Sequence, residues 1–582
     1  MFKLFRFLRP YAWQCVVLVA SIGFQAYCTL QLPAYMADIV NNGIVKGDVN
    51  YTWLTGLKML GYTILAALGA LSAHFFSSRI GAAFSRDLRA SFYQKILSFS
   101  LSDIDNFSTA SLITRTTNDI GQVQQATMMM LTMMLRAPLM GIGAIYQAFV
   151  TAPSMTWTLA LALGSIVFFT IIILSLVMPK FKLFQKLVDK LTLLARENLT
   201  GLRVIRAFNN EKKEHQKFER ANEELMRTNI FIDKILSLQD PLIGIVFNGI
   251  TLLVVWLGLK GLQTDLSYLG NMMAFVQYAT QVIMSFLVLT MLFVVLPRAS
   301  VSAKRINEVF AVKPKIHWLS STSGTPSVAP SVEFKNVSFA YTGAEQNVLT
   351  NVSFLAKAGE TTAFIGSTGS GKSTLISLVP RFYEATSGTI LINGLNIKNY
   401  AKDDLMRRIG YVPQKGVLFS GDVATNLSFG NPSATTKELA RAAKIAEASD
   451  FISKLPNSYH THIAQGGTNV SGGQKQRLSI ARAIAKKPEI YIFDDSFSAL
   501  DMKTDQRLRQ NLNSETQDSV VLVVAQRIST IKDANQIVVL DSGKVVGSGT
   551  HSQLLKSCEV YQQIVKSQLS ESEYQKELKH AA

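Results

Sequence analysis

The chain has 582 residues, 48% of them hydrophobic, and a mean hydropathy of +0.21; it has room for more than one domain and is too apolar for an ordinary soluble protein. Lys and Arg number 58 against 40 Asp and Glu, a formal net charge of +18. In so apolar a chain that excess reads as basic cytoplasmic loops, and no nucleic-acid partner is expected. The three cysteines, Cys15, Cys28 and Cys558, lack metal-like spacing, which argues against a zinc or disulfide framework.

The N-terminal MFKLFRFLRP is basic and apolar without a small-residue cleavage site, and reads as an interfacial lead-in to a first span. A bilayer core needs about 20 mostly apolar residues per helix. Six stretches qualify: Trp13 to Tyr35, Leu54 to Phe76, Thr127 to Val150, Trp157 to Met178, Leu242 to Leu262 and Leu269 to Val295. Lys3, Arg6 and Arg9 before the first span place the N-terminus inside, and Arg298, Lys304 and Arg305 after the last place the rest of the chain there too. The weakly charged segment from Asn41 to Tyr51 and the short connections near Ala152 and Asp265 fall outside. The basic stretches Arg79 to Arg115 and Lys180 to Lys234 fall inside. These two are helical in pattern, and at ~1.5 Å per residue they carry the spans well into the cytoplasm. Each contains a site where a helix reversal is expected, SLSDIDNFSTAS around Asp103 to Phe107 and ENLTGLRVIRAF from Glu197 to Phe208.

LSSTSGTPSVAPS, from Leu319 to Ser331, is rich in Ser, Thr and Pro and reads as a linker. Beyond it, VEFKNVSF alternates like a half-buried strand and TTAFIG reads as a buried one. The predicted organisation is an all-α transmembrane domain of six helices with long cytoplasmic extensions over residues 1–318, a linker over 319–331, and an α/β P-loop nucleotide-binding domain over 332–582.

The chemistry lies in that last part. GSTGSGKST, comprising Gly366, Ser367, Thr368, Gly369, Ser370, Gly371, Lys372, Ser373 and Thr374, follows a strand and opens an apolar helix. That is the context a P-loop requires: glycines let backbone N–H groups curl around phosphates, Lys372 reaches the β- and γ-phosphates, and Ser373 ligates Mg²⁺. YIFDD supplies an apolar strand ending in Asp494, a carboxylate able to hold the same cation. VSGGQKQR places Ser471, Gly472, Gly473 and Gln474 at a helix start, a second set of N–H groups suited to phosphate. A chain with a P-loop has no obvious need of a second cradle in one site. The economical solution is that this one serves a partner's nucleotide.

Taken in order, Tyr341, GSTGSGKST, YVPQ, VSGGQ, YIFDD, SALD and VVAQR resemble the ATP-binding cassette (ABC) exporter family, and the resemblance extends over essentially the whole chain. It implies a half-transporter that binds ATP and Mg²⁺ and pairs with a second half, each nucleotide site taking its P-loop from one chain and its signature motif from the other. It implies that Tyr341 stacks on adenine, that Gln414 touches Mg²⁺ and senses the γ-phosphate, that Asp501 links the two sites, and that the two reversals are coupling helices, the second docking into the partner's cassette.

Two positions depart from the family pattern. The residue after Asp494, normally Glu, is Asp495, and the switch histidine is Gln526. Asp is one methylene shorter, and Gln carries no positive charge. This resembles the impaired-site subunit of heterodimeric bacterial multidrug exporters. It implies an inner-membrane location with both termini inside, a partner carrying Glu and His, and a small amphipathic cargo. Met272, Met273, Met284 and Met291, with aromatics such as Phe168, Trp256, Phe275 and Tyr278, suit such a cargo or a lipid face equally. Arg136, inside the third span, is open to an anionic ligand or to a carboxylate such as Asp240. A lipid or peptide exporter of the same fold and an ATP-gated channel or regulatory subunit stand as alternatives.

Overall fold

The computed structural model describes residues 1–262, 268–326 and 329–581. The loop near Asp265 and residues 327–328 of the linker stretch lie outside them. The chain divides into two compact units: Met1–Lys95 with Ala110–Ala311, and Ile96–Thr109 with Val312–Ala582.

The first unit is helical. Its long elements are α1 (Ala12–Asp38) and α2 (Val49–Leu97). After α3 (Leu101–Ile104), which lies in the second unit, come α4 (Thr109–Thr114), α5 (Ile120–Thr151), α6 (Trp157–Thr200), α7 (Leu202–Ala207), α8 (Glu211–Leu236), α9 (Gln239–Leu262) and α10 (Tyr268–Ala311). Among the described residues six helical stretches are long and apolar enough to cross a membrane, which makes this a multi-pass membrane protein. Five of them contain one of the sequence-read spans whole, the remaining one, Glu211–Leu259, stops three residues short of the read end at Leu262, and several run far past the read bounds. α2 has 49 residues and α6 has 44, so the basic segments continue the same helices. Apolar side chains such as Leu57, Leu71, Ile142, Phe168 and Leu252 point outward, as hydrocarbon demands of a span whose backbone bonds are all internal. Met272 is buried in helix packing, whereas Met273, Met284 and Met291 are exposed; Arg136 and Asp240 are also both exposed.

Polar contacts fasten α10 at both ends. A π-helical turn, Ile39–Ile44, follows α1, and its Asn41 accepts from the Gly270 N–H at 3.0 Å and donates to Asn271 at 3.1 Å. A second π turn, Arg115–Asp119, precedes α5; Ser302 donates to its Asp119 at 2.8 Å, and its Arg115 donates to the Arg305 carbonyl at 2.7 Å. Midway, the buried Tyr278 hydroxyl donates to the Leu30 carbonyl at 3.0 Å.

The second unit is α/β. A four-stranded antiparallel sheet of order β2-β1-β4-β5 holds β1 (Ser331–Phe339), β2 (Leu349–Lys357), β4 (Ser387–Ile392) and β5 (Leu395–Asn396). A six-stranded sheet of order β12-β11-β3-β10-β9-β6 holds β3 (Thr361–Gly366), β6 (Ile409–Val412), β9 (Ile490–Asp494), β10 (Val520–Val524), β11 (Gln536–Asp541) and β12 (Lys544–Gly549). The remaining pair, β7 (Gly421–Asp422) and β8 (His462–Ile463), is antiparallel. In the large sheet every pairing is parallel except β11 with β12. The central strands VVLVV and IYIFD are apolar runs buried on both faces, as a covered parallel sheet requires, whereas β1 shows the alternating burial of its sequence.

The Ser/Thr-rich stretch before β1 is fastened to this unit. Leu319 bridges Ala401, the Ser323 N–H donates to the Asn399 carbonyl at 2.8 Å, and Thr322 donates to Asp404. Of these contacts only Thr322 uses a side-chain hydroxyl, which also accepts from the Ala401 N–H at 3.1 Å.

Leu522 is fully buried on central β10, so its truncation leaves unfilled volume in the core with no polar change. Leu522→Ala is expected to destabilise the nucleotide-binding unit by about 2–5 kcal/mol, read as a lowered midpoint of its denaturant unfolding with no loss of membrane insertion.

Candidate functional site

Parallel register brings the motifs to one edge of the large sheet. Val524 pairs with Phe364 on one side and Asp494 on the other, so β10 and β9 end level and β3 ends just beyond them at Gly366. Just past those ends stand the P-loop, Asp494 with Asp495, and Gln526. Open parallel sheets bind ligands at this carboxyl edge.

Residues Gly366–Thr374 form the turn from β3 into α11 (Lys372–Leu378). Gly371 sits at φ +96°, and a Cβ on Gly366 would collide with the Leu540 carbonyl, so both positions need glycine. Ser367, Thr368 and Gly369 are exposed and Ser370 is buried. The Lys372 ammonium curls over the loop, donating to the carbonyls of Gly366 at 2.9 Å and Ser367 at 2.7 Å. Burial pulls its pKa below the ordinary lysine value, against the opposing pull of Asp495 and Asp494. Ser373 donates to the Asp494 carboxylate at 2.8 Å. Asp494 is itself buried, and desolvation raises its pKa. The Tyr341 hydroxyl lies 2.9 Å from the Thr374 Oγ1.

These residues fit a triphosphate with a divalent cation. The loop brings the buried Lys372 ammonium over its own backbone at the start of α11, a place suited to phosphate. The Ser373 hydroxyl and the Asp494 carboxylate form an oxygen pair of the hard kind that Mg²⁺ takes.

Asp495 is held differently. It sits at φ +47°, in the left-handed region, and its carboxylate accepts from the Gln526 amide at 2.9 Å and the Gln414 amide at 3.1 Å. Both amides meet one oxygen, Oδ2, so the three side chains form one cluster, with Asp495 buried and the two glutamines exposed. The sequence placed Asp495 and Gln526 in one site and Gln414 with the cation; the structure brings all three onto one carboxylate oxygen.

Ser471, Gly472, Gly473 and Gln474 lie elsewhere on the unit. Ser471 caps the helix Gly472–Ala485 in a reciprocal pair with Gln474, and both Ser471 and Gly472 are exposed. Asp501 caps the helix Met502–Glu515 through the Thr504 N–H at 2.9 Å, and hydrogen bonds to Thr504 lower its pKa.

Three residues that matter to this geometry escape a sequence reading. Gln476 accepts from the Gly416 N–H at 3.0 Å and donates to the Pro413 carbonyl at 3.1 Å, tying the signature helix to the Gln414 loop. Its only signal was its place two residues past VSGGQ. Tyr411, whose pKa burial and the nearby Asp494 push up to about 12, had its signal in YVPQ. Tyr383 had none.

The family description "ABC transporter transmembrane region" fits residues 16–286, and "ABC transporter" fits residues 349–498. The chain belongs to the ABC transporter family. It is an ABC exporter whose ATP-binding domain implies ATP-driven transport. A relative in Mycobacterium tuberculosis (strain ATCC 25618 / H37Rv), an uncharacterized ABC transporter ATP-binding protein, is 38% identical over 96% of this chain and 97% of its own length. Another so described in Bacillus subtilis (strain 168) is 35% identical over 97% and 98%. An ATP-dependent lipid A-core flippase of Desulfotalea psychrophila is 30% identical over 93% of each chain. The solved structure of a bacterial Atm1-family ABC exporter with ATP bound shares the fold at a TM-score of 0.77, with 23% identity over 97% of this chain and 99% of that one.

In this exporter the P-loop lysine is the strongest handle on nucleotide binding. Lys372→Ala is expected to weaken ATP binding at least about tenfold, a loss of ~1.4 kcal/mol, measured by equilibrium titration of the purified chain. Gly371→Val, which places a β-branched side chain at positive φ, is expected to abolish binding in the same assay.

Proposed function

We propose that this chain is one subunit of a heterodimeric exporter in the cytoplasmic membrane, holding Mg-ATP in an impaired site while its own signature motif completes the active site of a second half-transporter. The boundaries proposed are 1–318 for the membrane domain, 319–331 for the linker and 332–582 for the cassette, with both termini and the cassette cytoplasmic. The observation that carries the reading is the cluster at Asp495. A residue that must present a carboxylate to water is one methylene short, and both its neighbours are neutral amides bonded to the same oxygen.

In this mechanism Tyr341 stacks on adenine, an interaction worth ~1–3 kcal/mol per base in single-strand binders. Lys372 and the N–H groups of Gly369 to Ser373 hold the phosphates; Ser373, Asp494 and Gln414 would hold Mg²⁺, which when bound would supply charge neutralisation of the phosphates. Asp495 cannot position water while clamped, and Gln526 cannot supply the positive charge of a protonated histidine to the γ-phosphate. The site therefore binds ATP and turns it over poorly. The exposed Ser471 and Gly472 at a helix N-terminus support a role in trans, where they meet the phosphate bound by the partner. Asp501 links the two sites. α7 buries no residue of its own and exposes Val204, with Phe208 exposed just beyond it, which supports its docking into the partner's cassette.

The cargo proposed is a small amphipathic drug, from the exposed Met273, Met284 and Met291 and the aromatics of the spans. A second reading, an amphipathic lipid, draws on the relatives described as lipid A-core flippases. Stimulation of the assembled transporter's ATPase by cationic dyes but not by lipids is the expected result for a drug exporter.

The first measurement is Mg-ATP hydrolysis by this chain alone in lipid. Negligible turnover with ATP still bound is expected. The double variant Asp495→Glu with Gln526→His is expected to raise turnover at least ~10²-fold, the scale set by a 1 Å error in positioning. Robust hydrolysis by the unaltered chain would refute the impaired site.

A further inference from the structure

A continuous set of contacts leads from the P-loop helix to the segment between α2 and α4. That segment, Ile96–Thr109, belongs to the same compact unit as the nucleotide residues. Its own side chains hydrogen-bond within it. Ser100 caps α3, and the buried Asp103 carboxylate takes the Ser100 N–H at 3.0 Å and the Ser100 hydroxyl at 2.7 Å. Just past α3, Asp105 accepts from the Tyr383 hydroxyl at 2.9 Å. The Tyr383 ring meets the Tyr341 ring edge to face, with centroids 5.3 Å apart and planes at 87°. Both rings pack on Phe339, at 5.6 Å and 5.0 Å, and Tyr341 reaches Thr374 on α11. Burial, and then the Asp105 carboxylate, raise the Tyr383 pKa, so its hydroxyl stays a donor at neutral pH.

A cavity of about 350 Å³ opens beside this chain of contacts, lined by Tyr341, Tyr383, Asp105, Asn106 and Lys315 among others. It lies against the ring assigned to adenine and has room for the edge of a purine.

We propose that Tyr383 and Asp105 are positioning residues that report the base seated on Tyr341 to the first coupling segment of the same chain. The inference rests on the reading of Tyr341 as the adenine platform. A base stacked on Tyr341 removes that ring's freedom. The perpendicular packing passes the constraint to Tyr383, and its hydroxyl passes it to Asp105 and so to residues 96–109. What is read is the base and not the phosphates. The report thus persists for as long as ATP remains, whether or not it is hydrolysed, which suits a site that binds nucleotide and turns it over slowly. By linkage, a coupling segment ordered from elsewhere tightens base binding by the same factor.

The test is amide hydrogen exchange of the full-length chain in lipid nanodiscs, with ATP or with inorganic tripolyphosphate, following residues 366–374 and 96–109 together. Both ligands are expected to protect the P-loop. ATP alone is expected to slow exchange in 96–109, by about fivefold or more, the lower range of allosteric couplings. Tyr383→Phe keeps the ring and is expected to lose the effect in 96–109 while ATP affinity stays within about threefold. Asp105→Ala is expected to behave likewise, and Asp105→Asn, which can still accept from Tyr383, to retain the effect. Equal protection of 96–109 by tripolyphosphate overturns the relay, as does an unchanged ATP effect in Tyr383→Phe. P-loop protection without any change in 96–109 overturns the relay alone. No protection of the P-loop by either ligand overturns the ATP-site reading and the relay with it.

Discussion

The register of three parallel strands is the constraint on which the rest of the cassette depends. β3, β10 and β9 are paired so that Phe364, Val524 and Asp494 stand side by side, and β11 continues the row with Leu540 beside Gly366. Each strand is apolar and buried on both faces, so a slip in register would misalign every loop at the carboxyl edge at once. Because those loops begin where the strands end, the P-loop, the Asp494–Asp495 pair and Gln526 converge from segments far apart in sequence.

At that edge the geometry makes Asp495 more than a shortened glutamate. Its backbone stands at φ +47°, a conformation that costs roughly 1–3 kcal/mol and persists where the surroundings enforce it. Its N–H donates to the Val524 carbonyl at 2.9 Å, and its own carbonyl accepts from Ser498 at 2.8 Å. The side chain is thus aimed by its backbone, and the two amides that receive it are matched to its length. A glutamate would project one methylene past the oxygen position that Gln414 and Gln526 now share.

The membrane unit solves a different problem. With apolar side chains facing outward, burial of hydrocarbon cannot by itself select how helices pair, and polar contacts and close backbone approach carry more of the selection. α10 shows this: Asn41 holds one end and Asp119 with Arg115 the other, each from a π-helical turn. Asn41 lies within the first of these turns, where α1 ends.

Much of this was legible in the sequence, and the reason is composition acting over long windows. Six spans are readable because about twenty apolar residues in a row have few other fates. The P-loop is readable because its glycines, lysine and hydroxyls occur at fixed spacing between a strand and a helix. Those spacings are local, so the sequence by itself determined that the chain spans a membrane, that it ends in an α/β nucleotide-binding unit, and which residues form the phosphate cradle. The tying of LSSTSGTPSVAPS to Ala401, Asn399 and Asp404 was not legible, because Ser and Thr serve loops and local hydrogen bonds equally well. Nor was the closing of Gln414, Asp495 and Gln526 on one carboxylate oxygen, nor the approach of Tyr383 to Asp105 across 278 positions. Those pairings are set by strand register and by the packing of aromatic rings. Only the tertiary structure decides them, because a hydrogen bond between distant residues leaves no periodicity or spacing in the chain that makes it.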